Sequence, residues 1–143
     1  YKVLVNQGDE KLGGDDIDQA IVDYCLDRLP STREEPQNKM ELLQACRKVK
    51  EALCDAETPN ASETISIEKE QVVIGQDRFE TILEPWLERA SVLIRTALEQ
   101  FQQRRRDEDA QMPPSISEVI LVGGTTRVPA IRRMIQTFFP KLE

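Results

Sequence analysis

A chain of 143 residues with 39% hydrophobic and 31% charged side chains has the apolar content for one domain or two small lobes. Its net charge of −7 argues against a nucleic-acid binder, which draws on a basic surface. Three scattered cysteines and no histidine remove most metal sites and every triad that needs an imidazole base.

Those thiols, Cys25, Cys46 and Cys54, show no C-x-x-C spacing, suit a reducing compartment and fall in helical patterns, so they read as packing residues. The basic run Arg104–Arg106 meets Asp107, Glu108 and Asp109 at once, which describes a solvated helix end or loop. No signal peptide and no span of about 18 apolar residues is present, so membrane insertion is not expected. Tyr1 already stands inside an apolar alternation, which reads as the interior of a longer protein.

In chain order, Tyr1–Val5 alternates like a strand and runs into the turn composition Asn6-Gln7-Gly8-Asp9. The string Leu12-Gly13-Gly14-Asp15-Asp16-Ile17-Asp18 opens a helix. Asp15 is its expected N-cap, and the carboxylates favour the positive helix end. Ile17, Ile21, Tyr24 and Cys25 form its stripe, and Pro30 closes it. The acid cluster reads either as helix capping or as a glycine turn that faces a nucleotide, its metal and water.

Residues 31–38 read as a loop. Met40, Leu43, Cys46, Lys50 and Leu53 then mark one side of a second helix, flanked by Leu42 and Val49. After a loop at 55–62, Thr64–Glu68 and Val72–Gly75 read as short strands. Their link lacks the Asn-Gly or Gly-X of a two-residue hairpin, which leaves its geometry open. A helix starts at Asp77-Arg78-Phe79-Glu80, and Pro85 is expected to begin a fresh one. Leu87, Ala90, Ile94, Leu98 and Phe101 stripe that helix as core, and residues 103–115 connect onward.

The stretch that organises the rest is Val119–Pro129. Val119–Val122 reads as a buried strand, and Gly123 and Gly124 end it with freedom for positive φ. Thr125 or Thr126 can cap the next helix, and Pro129 suits its first turn. Ile131, Met134, Ile135 and Phe138 continue at helical spacing. A strand, glycine turn and helix can be a plain tight turn, or can set backbone N–H groups against an anion or nucleoside.

The string Ile120-Leu121-Val122-Gly123-Gly124-Thr125-Thr126-Arg127-Val128-Pro129 resembles the nucleoside-side signature of the Hsp70 chaperones, a branch of the actin-like ATPases. Gly8 to Asp18, Ala45 to Lys50 and Arg78-Phe79-Glu80 resemble the same family in the same order. The resemblance implies an α+β fragment of the Hsp70 ATPase fold from its second lobe, with helices packed on short sheets. Residues 13–83 would form the outer subdomain, with 1–12 and 84–143 in the lobe core. The phosphate loop, catalytic lysine and metal-side residues would lie upstream and the peptide-binding domain downstream, so this piece alone is expected to be non-catalytic.

The implied adenosine site is Gly14, Arg47, Lys50, Glu51, Cys54, Gly123, Gly124, Thr125 and Arg127. Gly14, Gly123, Gly124, Arg127 and the ribose-reaching Lys50 match the family, and Thr125 keeps a hydroxyl where serine is usual. Arg47 stands where glutamate is usual, Glu51 where arginine is, and Cys54 where serine is. A sign-exchanged Arg47–Glu51 pair is therefore expected, with weaker and less adenine-selective binding. The implied cofactor is ATP or ADP with Mg2+, and the implied partners are nucleotide-exchange factors, J-domain co-chaperones and unfolded clients. Nucleic acid and membrane are not implied; a monomeric fragment of a cytoplasmic protein in protein folding and the stress response is. The link between the two short strands is shorter than the family's, so an exchange factor that docks there would bind poorly. Set against the chaperone motor is a non-catalytic interaction module whose nucleotide binding is lost or altered.

Overall fold

The Gly13-Gly14 pair and the carboxylates after it start the first helix, α1, Gly14–Leu26. The computed structural model describes residues 3–29, 36–55, 60–107 and 115–141. Gly13, rather than Asp15, is the N-cap. Asp16, three residues on, reaches back and accepts the Gly13 N–H at 3.0 Å, the half of a capping box that an N3 carboxylate supplies. Ile17, Ile21, Val22 and Cys25 bury the inner face of α1. Pro30, the expected terminator, and residues 31–35 lie outside the described residues.

Helix α2, Pro36–Cys54, begins inside the stretch read as a loop, with proline in its first turn, where a missing N–H costs little. Its buried line is Leu42, Cys46, Val49 and Leu53, with Leu43 only partly covered and Met40 67% exposed. The neighbouring Leu42 and Leu43 support two helical stripes equally well. Contact with α1 and the hairpin selects the first.

That hairpin joins β1, Ser62–Ile67, to β2, Glu70–Gly75, antiparallel, with Ile65 opposite Val72 and Ile67 opposite Glu70. Ile65, Ile67, Val72 and Ile74 point inward, while Val73 is 60% exposed on the outer face. The link is a two-residue turn, Glu68-Lys69, in which Glu68 takes φ 54°. Positive φ without glycine is strained. The Glu68 side chain offsets that strain by accepting a 2.9 Å hydrogen bond from the buried amide of Asn38 on α2. Replacing Glu68 by glycine relieves roughly 1 kcal/mol of strain but strands the amide, at about 1–3 kcal/mol. Glu68→Gly is therefore expected to destabilise, and in an Asn38→Ala background to stabilise. Urea unfolding of the four-protein cycle checks the reversal of sign.

Helix α3 runs unbroken from Gln76 to Asp107, with Pro85 inside it. The expectation of a fresh helix at Pro85 is corrected. Thr81 and Pro85 both face solvent, so the Thr81 carbonyl that loses its partner can be hydrated. Packing on both sides offsets the rest. Phe79 and Leu83 are buried in the core with α1, α2 and the hairpin, and Arg89 beyond the proline binds Asp9 and the Lys11 carbonyl. Farther along, Gln100 accepts from Gln7, and Arg104 donates to the Leu4 carbonyl.

Neither Val3–Val5 nor Val119–Val122 is in a strand, and Tyr1 lies outside the described residues. Val3, Ile120 and Val122 are 77%, 74% and 79% exposed. A run apolar on both faces forms a strand inside a covered sheet. Among the described residues the only ladder is β1 with β2, so these runs have nothing to pair with. After a 3₁₀ turn, Gly124–Arg127, helix α4 runs Pro129–Phe138. It packs on α3, with Arg133 bound to Glu80 at 2.6 Å and Ser91 Oγ donating to Met134 Sδ. The buried core gathers α1, α2, the hairpin, the first turns of α3, and Val128, Ala130 and Ile131.

Candidate functional site

The 3₁₀ turn is placed by Gly123, whose φ of 93° only glycine adopts without strain. Thr126 does not cap α4. Its hydroxyl donates to the Gly123 carbonyl at 2.7 Å and tightens the turn, while Val128 is the N-cap and Pro129 opens the helix. Arg127 reaches across to Asp55 at the end of α2, at 3.4 Å.

Between this turn and the end of α2 lies a pocket of about 270 Å³ lined by Lys50, Glu51, Cys54, Asp55, Gly124, Thr125 and Arg127. All of these except Asp55 belong to the set expected from sequence. Gly14 closes one side: a Cβ there would lie 3.2 Å from Lys50 Nζ and 3.4 Å from Thr125 Oγ1. Gly123 supports the turn from just outside the lining. A larger groove of about 610 Å³ lies along the second half of α3. Its lining is mostly aliphatic and phenylalanine side chains, without the converging charged groups of the smaller pocket.

Arg47 does not join the pocket and does not pair with Glu51. It turns onto α1, with Nε 3.3 Å from Asp18 and its terminal nitrogen 3.5 Å from Asp15. The attraction comes from Asp18, a carboxylate only 1% exposed. Such a group needs cationic partners to persist in the interior. Lys50 provides the second, with Nζ 2.7 Å from Asp18 and donating to the Gly14 carbonyl at 3.1 Å. The ammonium is thus held inside the protein by one ion pair and one hydrogen bond.

Asp18 is the residue that site reasoning from sequence underrates. A signal was present: it precedes Ile21, Val22 and Cys25 by three, four and seven residues, so a carboxylate sits on the apolar face of α1. Asp55 carried no such mark.

Cys54 is buried at the pocket, and that burial pushes its thiol up to about 11. It is a neutral weak donor at physiological pH. Its reaction with iodoacetamide at pH 8 is expected to be about a hundredfold slower than that of an unperturbed thiol, rising tenfold per pH unit toward 11. Peptide mass spectrometry over time measures this. Cys25 and Cys46 lie together in the core, where their mutual contact and burial raise the Cys46 thiol and take both away from the site.

The Hsp70 protein family model matches residues 1–143, the whole chain. Relatives include a protein named chaperone protein HscA homolog from Acidithiobacillus ferrooxidans, 33% identical over 140 residues, 97% of this chain and 21% of the relative. A protein of the same name from Azotobacter vinelandii is 34% identical over 142 residues, 99% of this chain and 21% of its own length. Another from Burkholderia multivorans is 36% identical over 145 residues, 97% of this chain and 22% of its own. The chain thus spans about a fifth of the length of the relatives it matches. By the full-length match and these identities, the chain belongs to the Hsp70 family.

Proposed function

We propose that this chain is part of the ATP-binding domain of an Hsp70-type chaperone and supplies the nucleoside-side wall of its cleft. Family membership implies an actin-like ATPase fold, and the mixed helix and hairpin architecture agrees with it. The observation that carries the reading is the convergence of Lys50, Glu51, Cys54, Gly124, Thr125 and Arg127 on one polar pocket from sites far apart in sequence. Its volume suits part of a nucleoside rather than a whole nucleotide, as a single wall would.

In this reading residues 13–83 form the outer subdomain, with 1–12 and 84–143 in the lobe core. Gly124 and Thr125 bring backbone close to the ligand, and Lys50 offers a donor to the sugar. Among the described residues no three His, Cys, Asp or Glu side chains converge as a metal site. In the same reading the Mg2+ of Mg-ATP and phosphoryl transfer belong to the rest of a larger protein. J-domain co-chaperones, clients and a cytoplasmic setting belong to the same reading. No helix among the described residues is long and apolar enough to cross a membrane. The short Glu68-Lys69 turn and exposed Val73 are the proposed edge for an exchange factor.

The departures at Glu51 and Cys54 favour altered recognition over lost recognition, since the pocket is formed around them, while Arg47 has turned onto α1. Gly124 offers a test that spares the fold. A Cβ there meets nothing within 4 Å, and its φ is not positive, so a larger residue fills the pocket without straining the chain. Gly124→Val is expected to weaken adenosine binding at least about tenfold by NMR titration while moving unfolding by under ~1 kcal/mol. Unchanged binding would refute the pocket as the nucleoside wall.

A further inference from the structure

We propose that Tyr24, Arg28 and Arg78 form a docking surface for an acidic segment of a partner protein, independent of the nucleoside pocket. Tyr24 is half-buried on α1 and packs against the core. Its ring carries two exposed guanidiniums. Arg28, just past the end of α1, sets its Cζ 3.7 Å from the ring centroid, and Arg78 in the first turn of α3 lies over the same ring at 5.7 Å. The negative face of the ring attracts both cations. Arg28 donates to the Tyr24 carbonyl at 3.1 Å, and neither arginine makes an ion pair among the described residues. Carboxylates next along both helices are engaged elsewhere: Asp23 accepts from Gln19, and Glu80 from Arg133.

A chain of net charge −7 thus holds two like charges over one ring and pairs neither with a carboxylate of its own. An anion from outside completes the arrangement. Each guanidinium is a planar fork of N–H donors that fits the two oxygens of a carboxylate, so neighbouring Asp or Glu side chains of one segment satisfy both forks. Stacking orients the forks beforehand and lowers the rotamer entropy that docking costs. The other basic run is less open to a partner, because Arg104 and Arg105 are already engaged within the chain. A nucleic acid fits less well than a short acidic segment, since its many phosphates meet two arginines on an otherwise acidic chain.

The 143-residue chain is titrated by NMR with a capped hexaglutamate peptide, with the matching hexaglutamine peptide and with inorganic phosphate. The expected result is a saturable shift centred on Tyr24, Arg28 and Arg78 with hexaglutamate alone. Arg28→Gln and Arg78→Gln should each weaken it about threefold to tenfold. Tyr24→Leu keeps every charge but removes the ring, and should weaken binding about threefold, while Tyr24→Phe keeps the ring and stays within about twofold. Thermal unfolding of each variant separates docking from packing. A stack that only joins α1 to α3 would lower the unfolding midpoint of Arg78→Gln and leave its peptide affinity unchanged, which would overturn the proposal. Shifts centred on Arg104–Arg106 instead, or no saturable shift, would overturn it too. Phosphate binding at Tyr24, Arg28 and Arg78 as tightly as the peptide would assign the forks to a phosphate group and also overturn it.

Discussion

Asp18→Ala is expected to lower the unfolding free energy by about 3–5 kcal/mol, the cost of removing one partner of a buried ion pair. The mechanism is specific to Lys50. Its side chain is only 16% exposed, and without Asp18 its ammonium keeps the Gly14 carbonyl alone. Arg47 is 52% exposed and rehydrates, so its lost contacts add little. Replacing both partners, Asp18→Leu with Lys50→Met, should recover most of the loss, because a buried pair exchanged for apolar side chains is often neutral. Urea denaturation separates the cases. A loss below about 1 kcal/mol in Asp18→Ala would mean that Lys50 finds water and that the clamp does not hold the pocket wall.

Phe79→Ala should cost a similar amount, about 3–5 kcal/mol, through lost burial and the cavity left behind. Phe79 is 0% exposed at the start of α3, enclosed by the core that α1, α2 and the hairpin build. Leu98 lies on the same helix but lines the open groove with Ile94 and Phe101, so Leu98→Ala should cost less than about 2 kcal/mol. The contrast tests where the core sits. Equal losses would place the second half of α3 in a core as tight as the first. Thermal unfolding of both variants, followed by circular dichroism, gives the comparison.

Local patterns were legible and non-local ones were not. The periodicity of Ile17, Ile21 and Cys25, and that of Ile131, Met134 and Ile135, announced α1 and α4 because helix bonds close within four residues. The two strands were legible from the residues around Ile65 and Val72, though their pairing, their ends and the strained turn at Glu68, read as strand, were not. Val119–Val122 has the composition of a strand, but a strand also needs a partner that composition does not specify. Pro85 misled because its intrinsic cost is visible in sequence, while the contacts that offset it come from Asp9, Lys11 and the core around Phe79 and Leu83.

The site divides in the same way. Lys50, Glu51 and Cys54 share one helix face, and Gly124, Thr125 and Arg127 share one turn, so each half was legible by itself. Sequence spacing made Glu51 the natural partner of Arg47, but a long arginine can equally swing to another helix. The buried charge of Asp18 decides that choice. It also limits engineering: Arg47→Glu, which would restore the family's usual residue, sets a carboxylate against Asp15 and Asp18 and should destabilise the chain.

The most direct measurement is a map of backbone amide shifts in the 143-residue chain during titration with adenosine. A nucleoside wall predicts perturbations centred on Lys50, Glu51, Cys54, Asp55, Gly124, Thr125 and Arg127, the two stretches that form the pocket. Shifts gathered instead along Ile94 to Phe101 and Ile116 to Val119, in the apolar groove, would contradict it, as would the absence of any saturable shift.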